Sequence, residues 1–397
     1  MNTHIMPTYA RQAVTFERGA GVWLWDLHAV RYLDAVSGIA VCNLGHAHPA
    51  VHQALCEQSG KLLHTSNLYN IDLQEKLANR LTALSGMENV FFCNSGAEAN
   101  EAAIKLARKF GHAKGIEKPV VLTAEKSFHG RTMATLSATG NAKIKQGFSP
   151  LLEGFVHVPY NDIAAIQAAI AADSNIVAVL VEPVQGEGGV NIPAADYLER
   201  IRELCDQHDI LMMLDEIQTG VGRTGKFLAF QHTAILPDVC SMAKALGNGV
   251  PIGACLASGK AAKILTAGNH GSTFGGNPLA CSAALAVLDV LADGELIAGV
   301  ASKGQKISEL LKSKTSGNPV IAEIRHLGLM IGVELTRPCG ELVGMALAKG
   351  LLINVTADTT IRLLPPFLID DAQIELLTDI LAALIQEFSS IDNNHAS

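Results

Sequence analysis

The sequence is poor in charge and in aromatic rings: 17% of its 397 residues are charged and 5% are Phe, Trp or Tyr, against 49% hydrophobic. That balance excludes a strongly solvated, disordered chain and points to a densely packed globular protein. There is no Lys/Arg run, and the net charge is −8, so neither nucleic acid nor an anionic membrane surface is an expected partner. No apolar stretch approaches the roughly 20 residues needed to span a bilayer. The opening residues MNTHIMPTYARQ lack the apolar segment of a secretory signal, so a soluble cytoplasmic protein is expected. Eight cysteines, at 42, 56, 93, 205, 240, 255, 281 and 339, show no C-x-x-C spacing and mostly sit in apolar runs, which reads as reduced core residues. Internal repeats and low-complexity segments are also missing.

What is present is an alternation of short apolar runs and amphipathic stretches. At this length one small core is too little, and two domains are expected. Residues 14–36 alternate around a glycine turn, suggesting a hairpin or small sheet outside the main fold. Strands are expected at 90–93, 119–123, 154–159, 176–182, 210–214, 238–243 and 252–257, with helices at 97–110, 162–172 and 194–208. Such alternation implies an α/β fold with a large, mostly parallel sheet covered by helices on both faces. After about residue 275 long helices (278–293, 295–314, 339–349, 371–389) alternate with strands near 320–335 and 360–364, the pattern of a smaller α+β domain ending in the polar tail SSIDNNHAS, expected to fray. The expected division is an N-terminal segment 1–60 belonging to the small domain, a large cofactor-binding domain 61–275 and a C-terminal small domain 276–397.

The stretch 210–253 carries the chemistry. Ile210 to Leu214 is apolar enough for a strand buried on both faces, and it delivers Asp215 and Glu216 at its carboxyl end, where open α/β sheets place their ligands. A second apolar run, Asp238 to Ala243, ends on Lys244. A lysine between Ala243 and Ala245 is poorly placed as a solvated charge; burial lowers the pKa of an ammonium, and the free amine condenses with aldehydes. A carboxylate and a desolvated lysine on neighbouring strand ends suit pyridoxal 5'-phosphate, whose aldehyde the lysine would carry and whose pyridine nitrogen the acid would keep protonated. A structural salt bridge is the alternative.

Three other signals compete. Gly220, Gly222 and Gly225 spell G-x-G-x-x-G, and Gly220 to Lys226 spell the start of a P-loop, but position 227 is Phe rather than Ser or Thr, and no helical stripe follows. A tight, close-packed loop is expected there, with a P-loop nucleotide-binding protein as the reading from another class. His46, His48 and His52 invite a metal, yet no carboxylate or cysteine completes the set; a turn into a helix from Pro49 is expected, and no metal. Asn94-Ser95-Gly96-Ala97 enters the helix 97–110, leaving open N–H groups at a positive helix end, an anion site that is also an ordinary cap.

With Asp215, Gln218 and Lys244 in view, the chain resembles the class III, fold-type I pyridoxal-phosphate aminotransferases. The resemblance runs through GIAVCNLGHAHP (38–49), FCNSGAEANEAAIKLAR (92–108), SFHGRT (127–132), VEPVQGEGGV (181–190), LDEIQTGVGRTG (214–225) and GSTFGGNPLACSAALAVL (271–288). It implies that Lys244 carries the cofactor and moves the proton, that Asp215 holds the pyridine nitrogen and that Gln218 faces the phenolic oxygen. It further implies that Ser95, Gly96 and Ala97 cup the phosphate and that Phe128 stacks on the ring; His129, beside Phe128, reads from its place in the sequence as a packing residue. Thr273 would reach the phosphate of a second subunit, implying a homodimer with sites at the interface. Arg131 is the implied clamp for a substrate carboxylate, and Ser272 the contact for an acylated substrate. Glu187 would be a gate, pairing with Arg362 for an ω-amino donor and releasing it for glutamate. The implied reaction carries the δ-amino group of N2-acetylornithine to 2-oxoglutarate, giving glutamate and a semialdehyde; succinylornithine, succinyl-diaminopimelate, ornithine and 4-aminobutyrate remain alternative donors.

Overall fold

A computed structural model describes residues 4–391. The expectation for the polar tail falls largely on 392–397, outside the described residues. Seven strands make the central sheet: β4 (Asn89–Cys93), β5 (Val120–Ala124), β6 (Phe155–Val158), β7 (Ile176–Val181), β8 (Leu211–Asp215), β9 (Val239–Met242) and β10 (Gly253–Ala257), in the order β4-β10-β9-β8-β7-β5-β6. Pairings β6-β5, β5-β7, β7-β8 and β8-β9 are parallel, while β10 runs antiparallel to both β9 and β4. The mostly parallel sheet expected from the alternation is therefore present, with one reversed strand.

The near-continuous apolar runs of β7 and β8 follow from burial on both faces. Every residue of both strands is buried. Successive side chains point to opposite faces. Ile176, Val179, Val181, Met212 and Leu214 join one core, which includes Ile166 and Ile170 of the helix Ile163–Ala172 and Ile201 and Leu204 of the helix Tyr197–Gln207. Val177, Leu180, Leu211 and Met213 join the other, built on Ala102, Ala103, Leu106, Ala107 and Phe110 of the helix Gly96–Ala113. Helices thus cover both sides of the sheet.

Two smaller sheets flank it. The first continues the 14–36 hairpin: β1 (Phe16–Ala20), β2 (Trp23–Asp26) and β3 (Arg31–Asp34) are antiparallel neighbours. The second joins β11 (Ile321–Leu327), β12 (Met330–Leu335), β14 (Asn354–Thr356) and β15 (Thr360–Leu363) in the order β11-β12-β15-β14, antiparallel throughout. A two-residue strand, β13 (Leu351–Leu352), pairs parallel with β3 and so ties the C-terminal segment to the N-terminal sheet. His48 caps the helix Pro49–Ser59 through a hydrogen bond from Ala50 N, 3.3 Å, which accounts for the histidine-rich turn. Among the described residues no cluster of His, Cys, Asp and Glu could hold a metal, and no helix is long and apolar enough to cross a membrane.

Candidate active site

Because β4, β5, β7, β8 and β9 all point the same way, their carboxyl ends meet along one edge, joined there by the residues leading into β10. A cavity of about 370 Å³ opens at that edge. Ser95, Gly96, Ala97, Phe128, Arg131, Asp215, Gln218 and Lys244 line it. Residues far apart in the sequence are therefore brought together, as the topology of an open α/β sheet dictates.

Asp215 closes β8, opposite Ser241 of β9, and Lys244 follows two residues after β9 ends. Lys244 has φ +49°, a left-handed conformation that side-chain-bearing residues adopt only under constraint. Its ammonium has no ion pair or hydrogen bond among the described residues. Burial first, then the Arg362 charge, pulls it down to about 8. Asp215 is held on both oxygens. Oδ2 accepts from Asn100 Nδ2 at 2.7 Å and lies 2.8 Å from His129 Nδ1, and Oδ1 accepts from Ile217 N at 3.1 Å. Asn100 is oriented in turn by Ser241 Oγ, which donates to its Oδ1 at 2.7 Å. His129 is therefore a partner of the key carboxylate, not the packing residue expected from its sequence neighbours. Asn100 was missed altogether, although a polar residue on the apolar stripe of an Ala-rich helix was a usable signal.

Also on the cavity wall, Ser95 caps the helix Gly96–Ala113, accepting from Glu98 N at 3.2 Å. Gly96 and Ala97 both line the cavity, no acceptor is recorded for their N–H groups among the described residues, and the dipole of the helix they open favours an anion there. Gly96 is required for close packing, since a Cβ there would stand 2.7 Å from Ile217 Cδ1. Phe128 and Arg131 follow β5, with the guanidinium carbon 5.8 Å from the ring centre. Glu182 also lines the cavity; burial, then Asp215 and Glu187, push its carboxyl well above the usual range.

Glu187 and Arg362 stand behind Gln218. Arg362 is fully buried, and its Nη1 lies 2.7 Å from Glu187 Oε1 and 3.2 Å from Gln218 Oε1. Asn354 Oδ1 accepts from the other side of the guanidinium at 2.6 and 3.1 Å. Although burial opposes ionisation, Arg362 holds the Glu187 carboxyl below its ordinary value. The pair expected from a short motif is formed. Ser272 and Thr273 lie elsewhere, on the wall of a neighbouring depression of about 420 Å³ that shares only Asn94 with the cavity. Asn94 Nδ2 reaches Ser272 Oγ at 3.3 Å.

The glycine run 220–225 is a loop followed only by the short 3-10 helix Ala229–His232 and closed around Arg223, a fully buried side chain. Arg223 donates to Pro365 O at 2.7 Å, to Leu329 O at 3.0 Å and to Asn43 Oδ1, so the loop is tied to three other chain segments. Glu216, beside Asp215, accepts from Phe230 N at 2.9 Å and from Thr219 Oγ1 and faces away from the cavity.

Comparison with known proteins gives the family. The aminotransferase class-III family matches residues 5–385. An acetylornithine aminotransferase of Nitrosomonas europaea is 55% identical over 386 residues, covering 97% of this chain and 98% of its own. Among solved structures, an N-acetylornithine aminotransferase from Stenotrophomonas maltophilia is 38% identical with a TM-score of 0.85, covering 96% of this chain and 98% of its own. An ornithine aminotransferase of Toxoplasma gondii, described with partial occupancy of PLP at its active site, is 34% identical with a TM-score of 0.93, covering 99% of this chain and 94% of its own. A match across almost the whole length, on top of a lysine, a held carboxylate and a helix end converging in one cavity, places this chain in the class III aminotransferases.

Proposed function

We propose that the chain binds pyridoxal 5'-phosphate in this cavity and transfers the δ-amino group of N2-acetylornithine to 2-oxoglutarate, yielding N-acetylglutamate semialdehyde and glutamate. The observation that carries the reading is the unpaired Lys244 amine sharing a cavity with Asp215 from the adjoining parallel strand. The donor set fits the cofactor: an amine near neutrality for an aldehyde, a carboxylate for a pyridine nitrogen, open N–H groups at a helix end for a phosphate and an aromatic ring alongside. When bound, the cofactor supplies an aldehyde that condenses with amines and a ring that accepts the electron pair released at the substrate carbon.

The protein's own residues do the rest. Lys244 Nζ, drawn down to about 8, takes up and releases a proton at little cost near neutral pH, as a general base must. Asn100, His129 and Ile217 N fix the Asp215 carboxylate so that it can hold a proton on the ring nitrogen. Gln218, on the cavity wall, would face the phenolic oxygen. Arg131 presents a planar fork to the carboxylate common to donor and acceptor. With Glu187 on Arg362 the inner pocket is neutralised and suits a donor whose reacting end carries no carboxylate; with the pair parted, Arg362 receives the second carboxylate of 2-oxoglutarate. One pocket then serves both halves of a ping-pong cycle.

Ser272 and Thr273, outside this cavity, are assigned to the cavity of a second copy, so the proposed form is a homodimer, acting in the cytoplasm. The tie between β3 and β13 supports counting 1–60 with the C-terminal small domain 276–397 around a central domain 61–275. Glutamate formation from 2-oxoglutarate with N2-acetylornithine, succinylornithine, ornithine and 4-aminobutyrate tests the donor assignment. Acylated ornithines should exceed ornithine in kcat/KM by roughly tenfold or more. A preference for free ornithine or 4-aminobutyrate would overturn it.

A further inference from the structure

The Glu187–Arg362 pair sits at one end of a longer construction. In the C-terminal sheet Arg325 lies directly opposite Gly332, Gly332 opposite Arg362, and Arg362 opposite Asn354. Residues directly opposite one another on neighbouring strands project from the same face. One row, Arg325-Gly332-Arg362-Asn354, therefore crosses all four strands, and the loop 186–190 lies over it.

Three members of the row each hold a different part of that loop. Arg325 donates from Nε to Val190 O at 2.8 Å and from Nη2 to Gly189 O at 2.5 Å. Its remaining nitrogen, Nη1, is steadied by Glu334 at 2.5 Å and Glu323 at 2.7 Å. Gly332 leaves a gap that Val190 fills: a Cβ at 332 would stand 3.0 Å from Val190 Cβ. Arg362, buttressed by Asn354, takes the Glu187 carboxylate. The loop is not relaxed on this support. Val190 is fully buried at φ +54° and Gly189 has φ +117°. A β-branched residue in the left-handed region persists only where its surroundings impose it, and here the carbonyl of that residue is what Arg325 grips.

We propose that Arg325 and Gly332 are positioning residues for the substrate gate: they pin loop 186–190 to the sheet that carries Arg362, and so set how readily Glu187 neutralises it. The inference rests on the gate reading given above. Once the grip is lost, the loop relaxes away from the sheet, Glu187 leaves Arg362, and the bare guanidinium favours the dicarboxylate over the donor.

Four variants of the cofactor-loaded enzyme test this: Arg325→Met, Gly332→Ala, Glu187→Gln and the double variant Arg325→Met/Glu187→Gln. The readouts are kcat/KM of the two half-reactions, with N2-acetylornithine and with 2-oxoglutarate, and amide hydrogen exchange across 186–190. Arg325→Met should lower the donor-to-acceptor ratio by roughly tenfold and speed exchange in the loop. Gly332→Ala should shift the ratio in the same direction, and Arg325→Met should add nothing to it once Glu187 is already replaced. Equal losses in both half-reactions for Arg325→Met, an undiminished ratio change in the Glu187→Gln background, or unaltered exchange at 186–190 would overturn the proposal. Failure of Glu187→Gln itself to separate the half-reactions would instead remove the gate on which it rests.

Discussion

Replacing Glu216 by glutamine should stabilise the protein, and do so increasingly as pH rises above the acid range. Glu216 is 1% exposed and plays no part in the cavity, so its effect is on folding alone. Burial, partly offset by the bonds from Thr219 and Phe230, raises its carboxyl from 4.5 to about 7. A raised acid costs nothing below its unfolded value, where both states are protonated. As pH rises above about 4.5, the unfolded chain releases a proton that the folded chain retains, and stability falls until pH passes about 7. The gap corresponds to about 3 kcal/mol at roughly 1.4 kcal/mol per tenfold. Glutamine keeps an acceptor for Phe230 N and a partner for Thr219 Oγ1 and cannot ionise. The test is urea unfolding of both proteins at about pH 5 and about pH 8.5, under equal cofactor and protein concentration. Glu216→Gln should differ little from the parent at the lower pH and be more stable by close to that figure at the higher one, with unchanged m. An equal difference at both pH values, or no gain at the higher one, would refute the reasoning.

Other outcomes follow from the same geometry. Asn100→Leu removes a donor to Asp215, a donor to His129 O at 2.8 Å and the acceptor of Ser241 Oγ, and should destabilise by about 2–4 kcal/mol in urea unfolding; a shift under roughly 0.5 kcal/mol would show that the network carries no energy. Arg131→Ala should weaken the transition-state binding of both N2-acetylornithine and 2-oxoglutarate by about 2–4 kcal/mol, read from kcat/KM; an effect confined to one substrate would remove its role as the common clamp. Ser95→Ala should cost about 1 kcal/mol of stability from the lost cap and weaken cofactor retention on dialysis, whereas unchanged retention would place the phosphate elsewhere.

Local patterning made most of the large sheet legible. Apolar runs such as Ile176–Val181 are strands because burial on both faces demands unbroken hydrophobicity, and their positions match the expectation to within a residue or two. The reversed direction of β10 was hidden, since a buried strand has the same composition whichever way it runs. The helix Asp72–Ser85 was overlooked even though Leu73, Leu77 and Leu81 recur at four-residue spacing and Gly86 ends it in a left-handed cap. Lys244 and Asp215 could be read because each closes an apolar run, and the resemblance supplied Glu187 and Arg362. The roles of His129, Arg223 and Arg325 could not be read, because what defines them is tertiary: the partner of His129 is 86 residues away, and Arg325 acts on the carbonyl of Val190, 135 residues distant.

The account depends on one amine. Reduction of the cofactor-loaded protein with borohydride, followed by peptide mapping, should place the cofactor on Lys244 Nζ, and Lys244→Ala should lose both the label and turnover. A label on another lysine, or turnover that survives the substitution, would contradict the central claim.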